Sequence, residues 1–570
     1  MMISKHRKIF SMISLILLSA ILLTVAPVSA ANVSIVYGPE KISSGGDEET
    51  PQVAVDSNGN VHIVWSSYEA SYLYYKMVDP NGNVLIDETN LNPCLEYASY
   101  HVRRPSMAID SSNNVHIVFH AFDLYTDFGE EGYDSRESLD ESEVIYIKIN
   151  PYLDDRNGNP ADVFTITVIP ETIISTVDSI RSRAPNIAID PFDRLHVVWF
   201  DGNSKSSLQI HYLVMDTDGT PLFEEATLTT DLDIDVDWGE PEIAADSNGN
   251  AHIIYCTDTW DSDREIYYTM VNGTTGNTLI DDTRITSDDG SSSVRAFLAV
   301  DHMNMVHVAW HDRRFYDAET GEHEIFYSKL NPSLDDQSGD AADPDVISVV
   351  SEQLVSSNDG YKSYLCHIAV DSGNRAHIVW VDQRDGAENW GEGEVYYAVP
   401  GVVPETRLTH FNGAVYPVYW WYSSGRYPDI VVASNKVYIT FNGYIEGDET
   451  SSSDIYFMIL STISRLPTKV SVTARGSNEE NEWVTVKGTM SGEKAGGGVG
   501  LTLSTSKISI SLKQVLYYDG TVAKLSGVVT RPSNLMGQTA YVTLSVDGYI
   551  EVTIGDSTYN FYGTVRFKGA

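Results

Sequence analysis

The chain has 570 residues, with 80 acidic and 37 basic side chains, and its formal net charge is −43 at pH 7. A surface this acidic repels the phosphates of nucleic acids and of anionic lipids, so neither is expected as a partner. The sequence contains no Rossmann fingerprint, P-loop or Cys/His zinc spacing, and no organic cofactor is expected.

The first 30 residues have the organisation of an export signal. A basic segment at residues 5–8 precedes an apolar run from Ile9 to about Val25, and a small-residue cleavage site follows at residues 28–30. An uncleaved anchor is the less favoured alternative, because the apolar run is long for a signal. No second run of spanning length follows. We therefore predict a secreted or cell-surface protein whose mature chain does not cross a membrane.

A repeated segment begins at Pro51. It contains two short alternating runs joined by a Ser/Asn/Gly turn, which is the pattern of a β-hairpin. The copies cover residues 51–65, 105–119, 185–199, 241–255, 296–310 and 366–380, with a degraded copy at 428–441. An Ile-Tyr-Tyr-like run and a more variable strand follow each hairpin. Four strands in each of seven repeats predict a seven-bladed β-propeller over residues 31–462.

The two ends of the predicted propeller complement each other. A strand-like segment at residues 33–44 precedes the first hairpin, and the seventh repeat stops at about Leu460. The N-terminal segment is therefore predicted to complete the last blade, which leaves the ring without an open edge. After Pro467 the repeated histidine is lost, and residues 468–570 are predicted to form a separate β-sandwich. The expected fold class is all-β.

Three cysteines are too few for a disulfide framework. Cys256 and Cys366 fall at strand positions where other repeats carry apolar or small residues, so buried free thiols are expected there. Whether either of them forms a disulfide with Cys94 is left open.

Each of the six full repeats ends its first strand with an aspartate and carries a histidine on its second strand, and Asp56 and His62 are the first such pair. A catalytic group is needed once, whereas this pair recurs. We expect the aspartate to accept N–H groups of its own turn and the histidine to bond across the blade. The Asp-x-Arg motifs at Asp312 and Asp382 are expected to form ion pairs between blades.

The residue seven places before the repeated aspartate varies, and it is expected at one mouth of the central channel. The candidate ligand-binding residues at this mouth are Glu49, Arg103, Arg183 and Arg426 in adjacent blades, Arg295 in blade 5, and Asp237 and Glu240 in blade 4. Guanidinium groups are suited to carboxylates, so we predict an anionic ligand. The alternative is that the basic and acidic members pair with each other.

The Arg-x-Pro sequences that begin at Arg103, Arg183 and Arg426 resemble part of the Phe-Arg-Ile-Pro motif of sialidases, which also precedes a first strand. That resemblance implies a propeller, three arginines that hold a sugar carboxylate, a Tyr/Glu nucleophile pair and an aspartic acid. The blade pattern, in which Trp-x-Asp-x-Arg is followed by Glu-Ile-Tyr-Tyr, is more similar to the pattern of exported surface propellers of archaea and bacteria that are labelled sialidase-like than to that of sialidases.

Two loops, in blades 2 and 5, share a pattern of oxygen-bearing side chains at alternate positions. The candidate ligands are Asp155, Asn157, Asn159 and Asp162 in the first loop, and Asp336, Ser338, Asp340 and Asp343 in the second. Such a pattern can surround a hard cation, and it predicts Ca²⁺ sites. The alternative is a solvated turn.

The sequence as a whole predicts a secreted or cell-surface propeller that recognises an extracellular acidic glycan or protein. The main alternative is a sialidase-like glycoside hydrolase or lyase that acts at the channel mouth. A third possibility is a structural component of the cell envelope. Because a propeller fold does not determine function and no catalytic set can be named, enzymatic activity is left open.

Overall fold

A computed structural model describes the chain over the residues 32–46, 48–67, 72–91, 100–123, 142–178, 180–202, 208–229, 240–257, 264–316, 323–385, 393–410, 428–443, 453–463, 469–478, 482–491, 498–518, 522–533, 535–545, 549–554 and 557–569. The predicted signal peptide, Cys94, Asp237 and Arg426 lie outside these ranges. No helix within them is long and apolar enough to cross a membrane.

The described residues form seven four-stranded antiparallel sheets, which confirm the predicted propeller. The first strand in the chain, β1 (Asn32–Lys41), belongs to the last blade. Blade 1 contains β2 (Glu48–Val55), β3 (Val61–Ser67), β4 (Leu73–Val78) and β5 (Val84–Asn90). Blade 2 contains β6 (Tyr100–Ile109), β7 (Val115–Asp123), β8 (Ser142–Ile149) and β9 (Thr167–Ile173). Blade 3 contains β10 (Ser182–Ile189), β11 (Leu195–Asp201), β12 (Gln209–Met215) and β13 (Ala226–Thr227).

The remaining blades repeat this order. Blade 4 contains β14 (Glu242–Ala245), β15 (Asn250–Thr257), β16 (Glu265–Asn272) and β17 (Thr278–Arg284). Blade 5 contains β18 (Ser293–Val300), β19 (Val306–Asp312), β20 (Glu324–Leu330) and β21 (Ser348–Leu354). Blade 6 contains β22 (Ser363–Val370), β23 (Ala376–Asp382), β24 (Glu394–Val399) and β25 (Val403–Arg407). Blade 7 contains β26 (Asp429–Ala433), β27 (Lys436–Gly443) and β28 (Asp454–Ile463), with β1 as its outer strand.

Blades 2 and 5 carry the same insertion between their third and fourth strands. It consists of a 3₁₀ turn and a short helix, namely Pro151–Leu153 with α1 (Val163–Ile166) in blade 2, and Pro332–Leu334 with α2 (Pro344–Ile347) in blade 5. The two loops predicted to bind Ca²⁺ lie within these insertions.

The ring closes through the pairing of β1 with β28. Asn32 lies opposite Ile463, and Lys41 lies opposite Tyr456. The predicted closure is therefore confirmed. Its physical value is that the backbone N–H and C=O groups of β28 have a partner strand on both sides and offer no edge for a second chain.

The C-terminal region differs from the β-sandwich that we predicted. Its strands are β29 (Lys469–Ser477), β30 (Trp483–Ser491), β31 (Gly498–Ser504), β32 (Ser509–Tyr518), β33 (Val522–Arg531), β34 (Thr539–Ser545), β35 (Tyr549–Ile554) and β36 (Ser557–Gly569). They form one closed barrel, because β29 also pairs with β36, from Val470 opposite Gly569 to Ser477 opposite Tyr562. The buried apolar side chains of all eight strands form a single cluster inside it.

The apolar interior of the propeller is built mainly from the second and third strands of each blade. The aromatic residue near the end of the second strand is a fully buried tryptophan in four blades, namely Trp65, Trp199, Trp310 and Trp380. Cys256 and Cys366 are buried free thiols, as predicted. Burial of such large rings between neighbouring sheets is the main source of stability in a fold whose blades contact only their neighbours.

The repeated aspartate and histidine belong to the scaffold, as predicted. In blade 1, Asp56 Oδ1 accepts the N–H groups of Asn58 and Asn60 at 2.9 and 2.8 Å. The ring of His62 lies between Asp56 Oδ2, at 3.2 Å, and the hydroxyl of Tyr75, at 2.9 Å. The same Asp–His–Tyr contacts recur in blades 2 to 6, where the tyrosines are Tyr146, Tyr212, Tyr268, Tyr327 and Tyr397.

The Asp-x-Arg motifs form most of their ion pairs within one blade, and each also pairs with the segment that connects the preceding blade, so the predicted pairing between blades is found in part. In blade 5, Arg314 binds Asp312 through Nε and Nη2 at 2.9 and 2.7 Å, and its Nη1 lies 2.7 Å from Glu352 of the outer strand. The guanidinium lies over the ring of Phe326, 4.1 Å from the ring centroid. Arg384 makes the equivalent contacts in blade 6 with Asp382, Glu405 and Tyr396. The links to the connecting segments are the contact of Arg314 Nε with Asp289 at 3.6 Å and that of Arg384 Nη1 with Asp359 at 3.2 Å. Glu352 adds a third link, since it accepts the N–H of Ser287 at 2.6 Å.

Candidate anion-binding mouth

A β-bulge interrupts the innermost strand of five blades, and it orients the side chains at the channel mouth. Pairing shifts between Arg103 and Ser106 in blade 2, for example. The residue in the bulge has a positive φ of 50 to 52°, and these residues are Thr50, Arg104, Ala184, Arg295 and Leu365. Such a conformation is unusual for a residue with a side chain, and it costs roughly 1–3 kcal/mol. Bulges of this kind commonly redirect side chains next to functional sites.

Three arginines surround a buried histidine at the mouth of blades 2 and 3, a set that we call the blade 2 cluster: Arg103, Arg104, Arg183 and His120. His120 lies opposite Arg103 in the sheet, and the N–H of Ala184 donates to its Nδ1 at 3.4 Å. Burial, and then the charges of Arg104, Arg103 and Arg183, lower the pKa of His120 well below its ordinary value. The imidazole is therefore neutral at physiological pH.

Two of these arginines also pair with acidic residues that we predicted at the same mouth. Arg103 forms an ion pair with Glu49 of blade 1. Arg104 Nη1 lies 3.1 Å from Glu240 Oε1, which precedes the inner strand of blade 4. The structure thus brings Glu49, Arg103, Arg104 and Glu240 together in two pairs, while Arg183 lies near them beside His120. Ligand binding by these residues remains a prediction.

A second set lies at the mouth of blades 5 and 6, and we call it the blade 5 cluster: Arg295, Arg313, Lys362, His311 and His323. The rings of His311 and His323 are in edge-to-face contact, with centroids 5.2 Å apart. His311 is 2% exposed, and neither of its ring nitrogens has a hydrogen-bond partner among the residues that the structure describes. Burial, then His323, Arg295 and Arg313, lower its pKa well below the ordinary value. Burial, then Arg313, Lys362 and Arg295, lower the pKa of His323 to about 3.

His120 and His311 were missed by reasoning from the sequence, although a signal was present. Both follow the aromatic residue near the end of the second strand, Phe119 and Trp310. Other full repeats carry serine, phenylalanine, cysteine or valine at this place. A comparison of this single position across the repeats would have distinguished the two histidines from the repeated scaffold histidines.

Below the mouth, polar residues that are not repeated link the innermost strands of neighbouring blades. Ser106 Oγ donates to Asn186 Oδ1 at 2.8 Å, and Asn186 in turn donates to Glu242. On the other side of the ring, His367 Nε2 lies 3.2 Å from Asp429 Oδ1. The interior beneath the arginines is therefore polar, which suits a hydrated or polar ligand more than an apolar one.

Buried glutamates at the start of the third strand are a further set of carboxyl groups near this end of the blades. Burial raises the pKa of Glu265 and of Glu324 to about 8, although each accepts a hydroxyl group, from Thr286 and Ser356. Glu394 accepts the hydroxyl of Thr409 in the same way. Because the contact recurs, we assign these glutamates to the scaffold.

The side chains predicted to bind Ca²⁺ form hydrogen bonds that stabilise the turns of their own loops. Asp162 caps α1 by accepting the N–H of Phe164 at 3.2 Å, and Asp343 caps α2 by accepting the N–H of Asp345 at 3.0 Å. Other side-chain contacts within the loops join Asp155 to Asn157, Asn157 to Asn159, and Asp336 to Ser338, while Asp340 accepts the N–H of Asp281 through its backbone carbonyl. These contacts agree with the solvated-turn alternative, and Ca²⁺ binding remains a prediction.

No family model and no curated protein matches the chain. Among solved structures it is similar to a polysaccharide lyase, with 14% identity and a TM-score of 0.44 over 77% of this chain and 94% of that one. It is also similar to a protein of unknown function from Dyadobacter fermentans, with 12% identity and a TM-score of 0.40 over 64% and 96% of the two chains. The Penicillium chrysogenum α-L-arabinanase complexed with arabinobiose gives 8% identity and a TM-score of 0.37 over 76% and 98%.

Proposed function

We propose that the protein is an exported propeller whose channel mouth binds an acidic glycan. The observation that carries this proposal is the concentration of cationic side chains in the two mouth clusters of a chain whose net charge is −43. The guanidinium group offers paired N–H donors that match a carboxylate, and each such charge-assisted bond is roughly twice as strong as a neutral one.

The distribution of charge supports the same ligand class. An acidic polymer is repelled by most of this surface, so productive encounters are directed to the mouth, where six cationic side chains are grouped in the two clusters. Glu49 and Glu240 hold Arg103 and Arg104 in place through ion pairs. Such pre-orientation reduces the entropy that an arginine loses when it binds a carboxylate.

A second candidate function is a lyase that cleaves an acidic glycan by β-elimination, and His311 is the observation that favours it. A neutral imidazole can accept the proton from the carbon next to the sugar carboxylate once that carboxylate offsets the charges of Arg295 and Arg313, which make His311 a weak base in the free protein. The electron pair of that C–H bond then forms the C=C double bond, the bond to the leaving oxygen breaks, and the protonated imidazole donates its proton to that oxygen. Hydrolysis is less well supported, because Glu49 and Glu240 at the mouth are ion-paired. The glutamates whose pKa is raised to about 8, Glu265 and Glu324, are held in the scaffold by Thr286 and Ser356.

The experiment is a calorimetric titration of the mature chain with oligomers of polygalacturonate and with neutral gluco-oligomers at two salt concentrations. We expect binding of the acidic oligomer alone, and weaker binding at higher salt because surface charges are screened. Ultraviolet absorbance of the same mixtures detects the unsaturated product of a lyase. Equal affinity for the neutral oligomer would contradict an anion-binding mouth.

A further inference from the structure

Blade 3 carries a modified version of the ion-paired motif of blades 5 and 6. In those blades an aspartate at the end of the second strand and a glutamate of the outer strand hold an arginine between them. The aspartate and the glutamate are retained in blade 3 as Asp201 and Glu225. The residue that pairs with the buried tryptophan, Phe326 in blade 5 and Tyr396 in blade 6, is His211 in blade 3.

His211, Asp201 and Glu225 converge on one place. Their ligand atoms, one ring nitrogen and two carboxylate oxygens, all lie within 4.8 Å of one another. Among the residues that the structure describes, this is the one group of three such side chains that could hold a metal ion. It is distinct from the two loops for which Ca²⁺ is predicted.

The surrounding contacts orient all three side chains. Ser182 Oγ donates to Asp201 Oδ2 at 2.8 Å, and the hydroxyl of Thr176 donates to Glu225 at 2.7 Å. His211 Nδ1 contacts Glu225, while its Nε2 lies 3.2 Å from the hydroxyl of Thr227. Histidines that bind metals typically use one ring nitrogen for the ion and the other for a hydrogen bond that fixes the ring.

The charge at this place also resembles that of a metal site. In blades 5 and 6 the two carboxylates are neutralised by a guanidinium that cannot lose its proton. In blade 3 the imidazole of His211 lies beside the two carboxylates, with its ligand atom within 4.8 Å of both. A divalent cation would compensate both carboxylates.

We infer that Asp201, His211 and Glu225 form a site for a divalent transition-metal ion such as Zn²⁺. One imidazole with two carboxylates is a ligand set that Zn²⁺ accepts, with bonds of about 2.0–2.2 Å, whereas Ca²⁺ prefers six or more oxygen ligands. The ion takes the place of the direct contact between His211 Nδ1 and Glu225, and water fills the remaining coordination position. The side chains of His211 and Glu225 are 15 and 16% exposed, which leaves a path for the ion.

The test is a titration of chelator-treated protein with ZnCl₂, followed by calorimetry and by the melting temperature. We expect one zinc ion per chain and a rise in the melting temperature. His211→Phe, which installs the residue found in blade 5, should abolish both. Thr227→Val, which removes the partner of Nε2, should weaken zinc binding by about 10–100-fold. His302→Phe changes an exposed histidine outside the site and should leave both unchanged.

The site would be refuted if the unmodified protein bound no zinc, or if His211→Phe bound zinc with the same stoichiometry and affinity. Because His211→Phe could unfold the blade, Asp201→Asn supplies a second variant that keeps the volume and the Ser182 contact. Undiminished zinc binding by Asp201→Asn would also overturn the inference. None of these results depends on the acidic-glycan proposal, since no glycan is present.

Discussion

His120 of blade 2 and His311 of blade 5 occupy the same position in their blades, opposite Arg103 and Val294 of the inner strands. Each is buried among arginines and each remains neutral. Blades 2 and 5 are also the two blades that carry the 3₁₀ turn and short helix. The ring thus contains two related blades with a buried histidine at the same mouth.

Replacement of a mouth arginine should weaken binding of an acidic glycan without a large loss of stability. Arg183→Ala removes one charged partner of a carboxylate, so we expect a cost of roughly 1.5–3 kcal/mol in binding free energy. Arg284→Ala, on the exposed outer strand of blade 4, is the matched control and should bind normally. Calorimetry and urea unfolding should be performed on both variants. A loss of several kcal/mol in stability with no glycan binding by the parent would make Arg183 a strut between blades.

His311→Phe should leave the fold as stable as the parent or more stable. A buried polar group without a hydrogen bond costs about 1–3 kcal/mol, and an apolar ring removes that cost. His307→Phe is the contrasting variant, because it breaks contacts of 2.8 Å to Tyr327 and 3.1 Å to Asp301. The melting temperature should therefore stay the same or rise in His311→Phe and fall in His307→Phe. A large destabilisation by His311→Phe would show that the histidine is structural, and a lyase activity that survived it would exclude His311 as the base.

Acid should destabilise the propeller in a defined pH range. Burial favours the protonated form of Asp110, Asp190 and Asp246, but their hydrogen bonds, above all to the histidine, dominate and lower each pKa to about 2. A carboxyl group with a lowered pKa contributes stability that is complete above its ordinary pKa of about 4 and is lost as the pH falls towards 2. Urea unfolding between pH 2 and 7 measures this change. The free energy of unfolding should fall less steeply with decreasing pH in Asp190→Asn than in the parent. An unchanged slope would contradict the lowered pKa of Asp190.

If the loops of blades 2 and 5 bind Ca²⁺, the melting temperature should rise with Ca²⁺ concentration. One site contributes about 2.7 kcal/mol at a hundredfold excess over Kd. Asp336→Ala should remove only part of the effect, because the loop with Asp155 remains. An identical melting temperature in chelator and in millimolar Ca²⁺ would leave the solvated turn as the correct description of both loops.

Removal of β1 should destabilise all seven blades together, since it exposes the whole edge of β28. A chain that begins at Glu48 is expected to melt at a lower temperature and to aggregate more readily than the parent. Deletion of residues 469–570 is the control and removes a barrel with its own core. Equal melting temperatures for the parent and the chain without β1 would show that closure contributes little.

The blades were predictable from the sequence because their signals are local. The alternation from Pro51 to Trp65 and its recurrence define the hairpins, and the scaffold role of Asp56 and His62 follows from repetition alone. The barrel was not predictable in the same way. Whether β29 pairs with β36 depends on a contact between distant segments that leaves no mark in the alternation of either strand.

The candidate site was predictable only in part. Counting from the repeated aspartate locates Arg103 and Arg183, but it cannot reveal the β-bulge that gives Arg104 and Arg295 a positive φ. The ion-pair partner of each arginine also cannot be predicted from the sequence, because it depends on which residues the fold brings close together. Arg104 reaches Glu240 although blade 3 lies between their blades in the sequence.

The closure of the ring by β1 and β28 imposes an order on folding. The partner of Asn32 is Ile463, at the opposite end of the propeller sequence, so β1 has no place to dock until the last blade has formed. Until then both the N-terminal segment and the edge of β28 are available to other chains, and contacts of such long range form slowly. The N-terminal strand therefore pairs last. The time that this pairing takes determines how long the incomplete ring can associate with other copies of the same chain.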